Sequence, residues 1–525
     1  MTYAVTTPQA VRVELIARRE IALIDVREEG DYALGHPLFA ASLPLSRLEL
    51  HVLERIPRRD TALVVYDDGE MLAAKAVSRL AAMGYTRLSV LEGGLAGWRN
   101  AGFEVFQDVN SASKAFGELV EHRRKTPSLS ADEAKALIDS AADLVVLDAR
   151  RFEEYQSMSI PGGVSVPGAE LVLRAAEIAP DPNTTIVVNC AGRTRSIIGA
   201  QSLINAGLPN PVVALRNGAI GWRLAGLALE HGCSRRFPEV SLSRAEEARA
   251  AARAVAYRAG VRTVALSEVE HLAAGSDRTL YKLDVRTPQE YADGHLPGFR
   301  SAPGGQLVQE TDVWAPVRGA RVLLADDQGV RADMTASWLA QMDWEVYVLA
   351  WRGEGLLETG FPPAARPAVP CSETLDIEAL AASLPADRVT LVDLATSQEY
   401  RRGHIPGAWF AIRAHLEASA GVVPGDGPIV LTSPDASVAC FAAAEVAAVT
   451  GRRVMVLEGG TGAWVAAGRL LRGGEEQMAS PPIDVYRRPY EGNEVGASAM
   501  QAYLDWEYGL VAQLERDASH GFVVI

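Results

Sequence analysis

The stretch TIVVNCAGRTRSIIGAQSLI, Thr185 to Ile204, decides how the chain folds. Thr185 to Asn189 form a short apolar run that predicts a buried strand. Cys190 follows at once, then a turn of small and basic residues (Ala191, Gly192, Arg193, Thr194, Arg195), then a helical stretch starting near Ser196. Strand, tight loop and helix in succession are the parts of a parallel α/β sheet, whose ligands gather at the carboxyl ends of the strands.

Working outward, a first strand, VVLDAR, ends in Asp148 and Arg150, and Cys190 stands 42 positions after Asp148. The turn EYQSMSIPGG lies between them, and VVALRNGAIGW runs on to Trp222. This order recurs three times. The first strands are LIDVR to Arg27, YKLDVR to Arg286 and TLVDLA to Ala395. The turns are DYALGHP around His36, EYADGHLPG around His295 and EYRRGHIPGA around His404. The second strands, ALVVY, RVLLA and PIVLT, are followed by Asp67, Asp326 and Ser433 where the second copy has Cys190. The interval from the first Asp is again 42 after Asp25 and Asp284, and 40 after Asp393. Closing turns follow at SVLEGGLAGW to Trp98 and VMVLEGGTGAW to Trp464, while the third copy has Leu356 in place of the tryptophan.

Strands alternating with helices predict an α/β chain of four tandem domains, each a parallel sheet flanked by helices on both faces. The expected boundaries are 1–107, 126–237, 259–365 and 371–475, with a tail over 481–525. Charged stretches from Lys114 to Lys125 and Ser243 to Arg258, and the Pro-rich run Phe361 to Pro370, read as connectors. Domain one is expected to pair with two, and three with four. The tail, with Trp506 and Tyr508, matches no repeat and is expected to pack back on the repeats or across a homodimer.

A length of 525 residues with 48% hydrophobic content calls for several cores. The net charge of -15 argues against nucleic acid or an anionic membrane surface as partner. The four cysteines, Cys190, Cys233, Cys371 and Cys440, lack metal or disulfide spacing, and Met1 to Arg19 lack the pattern of a secretory signal. A cytoplasmic protein without metal or organic cofactor is expected.

The Asp-x-Arg strand, the Gly-His-Ile-Pro-Gly-Ala turn of Gly403 to Ala408 and the closing Glu-Gly-Gly-x-x-x-Trp turn together resemble rhodanese homology domains, over about residues 1 to 475. The family's active loop begins with a cysteine directly after the central strand, which only Cys190 supplies. The resemblance implies a sulfurtransferase. Cys190 would take a sulfane sulfur from a small anionic donor such as thiosulfate and pass it, as a persulfide, to cyanide, a thiol or a protein acceptor. Related cell-cycle phosphatases have five residues between cysteine and arginine; Ala191 to Thr194 are four, which disfavours phosphoryl or arsenate chemistry. The second copy departs from the family turn, reading Met158-Ser159-Ile160-Pro161-Gly162.

The residues support the same chemistry. A strand–loop–helix junction turns backbone N–H groups and a helix N-terminus toward the loop, an anion cradle. A free thiol is mostly protonated at neutral pH, so a working site has to favour the thiolate. Arg193 and Arg195 are expected to help hold it and the donor's sulfonate, with Ala191, Gly192 and Thr194 closing around the sulfur. Arg150 could add charge, although a structural pair with Asp148 is the stronger reading. The three copies without a cysteine read as scaffold, lids or docking surfaces. His36, His295 and His404 read as turn-stabilising, and Trp98, Trp222 and Trp464 as core anchors. Cys371 and Cys440 read as structural; Cys233, near Arg235 and Arg236, could serve as a resolving or acceptor thiol. The competing readings are a persulfide-sensing or sulfur-relay scaffold, and an inert buried cysteine.

Overall fold

The computed structural model describes residues 3–273, 278–370, 373–384, 388–489, 491 and 495–525. Cys371 lies outside the described residues. Four five-stranded sheets follow one another along the chain, each with the strand order first, fifth, fourth, second, third, and every neighbouring pair is parallel. Parallel neighbours cannot be joined by tight hairpins, so each connection crosses a face of the sheet, mostly through a helix. The central strands are buried on both faces, which is why they read as unbroken Val, Ile and Leu runs: Ile186, Val187 and Val188 are all buried.

Register explains the recurring interval. Asp148 stands opposite Asn189, Asp25 opposite Tyr66, Asp284 opposite Ala325 and Asp393 opposite Thr432. The residue after the fourth strand therefore always emerges beside the second strand's aspartate. In the third unit no helix follows the last strand, Glu345–Leu349, among the described residues before the linker, and Leu356 is exposed.

The units do not pack in the expected pairs. Unit one meets unit three through reciprocal backbone bonds between Ile21 and Arg318, at 3.1 and 2.9 Å, and through the Tyr281 hydroxyl donating to the Arg55 carbonyl at 2.7 Å. Unit two meets unit three, where Arg331 pairs with Glu170 at 3.0 Å, and unit one meets unit four, where Arg413 holds both oxygens of Glu49 at 2.8 and 2.9 Å. The reason lies in the connectors. Ser111–Arg124 and Leu242–Arg258 are full helices. The second lies on helices Leu171–Ile178 and Val330–Gln341 and so helps join units two and three.

The tail packs back on the repeats. Its helix, Ala497–Asp517, buries Met500, Tyr503, Leu504, Glu507, Leu510 and Leu514, a three-to-four-residue spacing that lines one face. That face rests on the connector helix Ser111–Arg124 and on the helix Gly218–Leu224. Among the described residues no helix is long and apolar enough to cross a membrane.

Candidate active site

Cys190 leaves the end of the strand Thr185–Asn189 and is 2% exposed. The following helix spans Thr194–Asn205, starting two residues earlier than expected because the turn is completed by Arg193. The loop is fixed from behind by the helix Gly218–Leu224, whose Ala219 and Ile220 N–H groups donate to the carbonyls of Cys190 and Ala191, both at 2.9 Å. Gly218 has φ +52°, and a Cβ there would stand 2.3 Å from the Cys190 carbonyl oxygen. Only glycine allows that approach. Trp222, fully buried, anchors this helix by donating from Nε1 to the Ala228 carbonyl at 2.8 Å; Trp98 and Trp464 make the same bond in their units.

The other three loops show what this cradle holds. The Asp67 carboxylate accepts the N–H groups of Gly69 and Ala73 at 3.0 and 2.8 Å. Asp326 accepts those of Gln328, Arg331 and Ala332 at 3.2, 2.8 and 3.3 Å, and Ser433 Oγ that of Ala439 at 3.3 Å. In each unit the donor six residues on is a helical N–H aimed at the loop's first side chain. In unit two the residue at that place is Ser196, which favours the Cys190 thiolate and whose hydroxyl donates to the Arg193 carbonyl at 2.8 Å.

The sequence-predicted arginines divide. Arg195 lies close enough to Cys190 for its charge to favour the thiolate, and both oxygens of Glu154 hold it at 2.7 and 2.9 Å. Burial works against ionisation of Glu154, but Arg195, Arg150 and Arg151 bring its carboxyl down to about 2. Arg193 turns away from the sulfur. Its guanidinium bonds Glu118 at 2.7 and 2.8 Å, Glu121 and Asn217, and stacks on the Tyr508 ring. The charge-assisted bonds expected of it toward a donor are thus made to the connector helix. Arg150 is buried against Asp148, at 2.9 and 2.8 Å, and donates to the Met158 carbonyl at 2.5 Å; Arg27 and Arg286 repeat the pair.

Ala191 packs with Met158, Ile220, Met500, Tyr503 and Leu504, while Gly192 faces Tyr503 and Glu507 of the C-terminal helix. The Thr194 hydroxyl is buried without a protein partner. Burial pushes the Cys190 thiol up; Arg195 and Ser196 oppose the rise, and Glu507 adds to it. Sequence reasoning missed Glu118, Glu154, Tyr503 and Glu507. Glu154 carried a faint signal, as the acid of the turn beside the second strand; the others sit in segments outside the repeat.

The turn histidines are buried and stack on Tyr32, Tyr291 and Tyr400 at 3.9, 3.8 and 3.8 Å. Cys233 bonds the Glu230 carboxylate at 3.3 Å.

Four segments, 9–101, 130–225, 268–351 and 376–467, match the rhodanese-like domain. A crystal structure of a thiosulfate sulfurtransferase from Pseudomonas aeruginosa is 57% identical, covers 99% of this chain and 100% of that one, and superposes with a TM-score of 0.96. The HTH-type transcriptional regulator Rv0324 of Mycobacterium tuberculosis is 36% identical over 92 residues, 18% of this chain and 40% of its own. The chain spans half or less of the length of the curated relatives it matches. With four matched segments, four sheets of one topology and a cysteine at the head of one loop, the chain belongs to the rhodanese-like domain family.

Proposed function

We propose that the chain is a thiosulfate sulfurtransferase that carries sulfur as a persulfide on Cys190. The observation that carries this reading is the use of the same loop in units one and three to seat a carboxylate on backbone N–H groups. A loop built to hold an anion suits a thiolate, and then a persulfide, in the unit where the first side chain is a sulfur. Identity of 57% to a thiosulfate sulfurtransferase over nearly the whole chain supports the same reaction.

In the first step the Cys190 thiolate attacks the outer sulfur of thiosulfate. A sulfur–sulfur bond forms on Sγ, the bond to the sulfonate sulfur breaks, and sulfite leaves with the electron pair. In the second step an acceptor nucleophile, cyanide or a thiolate, takes the outer sulfur and Cys190 departs as the thiolate. Ser196 and the helix N-terminus Thr194–Asn205 stabilise the anion through both steps, and Arg195 supplies positive charge beside it. Arg193 holds the loop to Glu118. Units one, three and four serve as scaffold. A reducing cytoplasm is the compartment in which a free, buried Cys190 would stay available.

Thiocyanate formation from thiosulfate and cyanide tests the reading. Turnover by the wild type that disappears in Cys190→Ser supports it, and turnover that survives the substitution overturns it.

A further inference from the structure

The C-terminal helix belongs to no repeat, yet it forms the outer wall of the Cys190 loop. A Cβ on Gly192 would meet Glu507 Oε2 at 3.2 Å and the Tyr503 ring at 3.3 Å. Met500, Tyr503 and Leu504 of the helix cluster with Ala191 and with Met158. The second unit departs from the repeat at this contact, with Met158 and Ser159 where the fourth unit has Gly403 and His404. The face of the helix that carries Glu507 therefore borders the Cys190 loop.

Glu507 is 1% exposed. The Tyr503 hydroxyl donates to its Oε1 at 3.0 Å, whereas Oε2, the oxygen facing Gly192, is buried without a hydrogen-bond partner. The charged and titratable groups around it are Lys114 and Glu118 on the connector helix, Arg193 and Cys190 on the loop, and Tyr503 on its own helix. Both cations are engaged elsewhere, Lys114 with Asp108 at 2.5 Å and Arg193 with Glu118 and Glu121. A buried carboxylate with an empty oxygen beside a thiolate is unfavourable, whereas a neutral carboxyl there has an O–H to donate.

We infer that Glu507 is a specificity-determining residue of the Cys190 site: as a neutral acid on the outer wall of the loop it admits an anionic sulfur donor and hydrogen-bonds its sulfonate, and once ionised it turns that donor away. This rests on the sulfurtransferase reading above. Burial, reinforced by the negative charge of Glu118, pushes the Glu507 carboxyl up to about 8, against the opposing effects of Lys114, Tyr503 and Arg193. The neutral form is then the one present at neutral pH.

The test is single-turnover sulfite release from thiosulfate by the full chain, followed from pH 6 to 10 for wild type, Glu507→Gln and Tyr503→Phe. The ratio of the Glu507→Gln rate constant to that of wild type should be independent of pH below about 7 and climb by about tenfold per pH unit above about 8. Alkylation of Cys190 by uncharged iodoacetamide should show a shallower climb. Tyr503→Phe removes a donor that favours the carboxylate, so its ratio to wild type should also exceed one between about pH 8 and 9, and this variant decides the matter if Glu507→Gln fails to fold. Flat ratios, or equal climbs for thiosulfate and iodoacetamide, overturn the assignment of Glu507 while leaving the sulfurtransferase intact. A wild type that releases no sulfite at any pH overturns both.

Discussion

Glu154 grips Arg195 with both carboxylate oxygens, at 2.7 and 2.9 Å, and so holds a guanidinium beside the Cys190 loop. The partnership joins the turn after the second strand to the helix after the fourth.

Replacing Arg195 by Leu should therefore raise the thiol further, since Arg195 opposes the upward push of burial on Cys190. The expected outcome is a higher midpoint of iodoacetamide alkylation and a rate at pH 7.5 lower by roughly tenfold. An unchanged midpoint would show that Arg195 serves only to hold Glu154.

Glu154 makes a pH prediction whose sign is set by its lowered carboxyl. The folded value of about 2 lies below the ordinary carboxylate value of 4.5, so its contribution to stability is fully present above about 4.5 and is lost as pH falls through 2. Glu154→Gln should thus melt below wild type at pH 7, and the gap should narrow steadily between about pH 5 and 3. Thermal unfolding across that range checks it; a gap that widens on acidification contradicts it.

Gly218 and Gly207 both have positive φ, +52° and +76°, but only Gly218 lies against the Cys190 carbonyl; nothing lies within 4 Å of a Cβ at Gly207. Gly218→Ala should displace the loop and lower thiosulfate turnover by roughly tenfold or more. Gly207→Ala should cost about 1 kcal/mol of stability and leave turnover unchanged. Equal effects on turnover would mean that the loop does not depend on this close approach.

In unit three, Asp326 occupies the cradle and also pairs with Arg331, which has no exposed surface. Asp326→Ala removes the acceptor of three backbone N–H groups and one partner of a buried cation, at a cost of about 3 kcal/mol. Asp67→Ala in unit one removes an acceptor of two backbone N–H groups and breaks no ion pair among the described residues, and should cost about 1 kcal/mol. Chemical denaturation of the two variants side by side checks the order.

The fold was legible because its signals are local and repeat. The 42-residue interval between Asp148 and Cys190 reflects two strands in fixed register, and four copies of one register leave little room for another topology. The place of Cys190 at the end of the fourth strand of its unit was legible for the same reason. The partners of Arg193 were not legible, because a sequence shows a basic residue beside a cysteine but not the carboxylates that compete for it. Glu118, its partner, lies 75 residues away on a stretch that reads only as a charged connector. The packing of the units was hidden likewise: Arg331 with Glu170 and Arg413 with Glu49 match surfaces far apart in the chain, which neighbourhood in sequence does not rank. The tail, which matches no repeat, gave no local sign of the loop that its helix covers.

The most direct test of a persulfide on Cys190 is the intact mass of the protein after exposure to thiosulfate alone. The expected result is a gain of one sulfur, about 32 Da, that is absent in Cys190→Ala and is discharged from the wild type as thiocyanate when cyanide is added. An unchanged mass, or a gain that persists in Cys190→Ala, would contradict it.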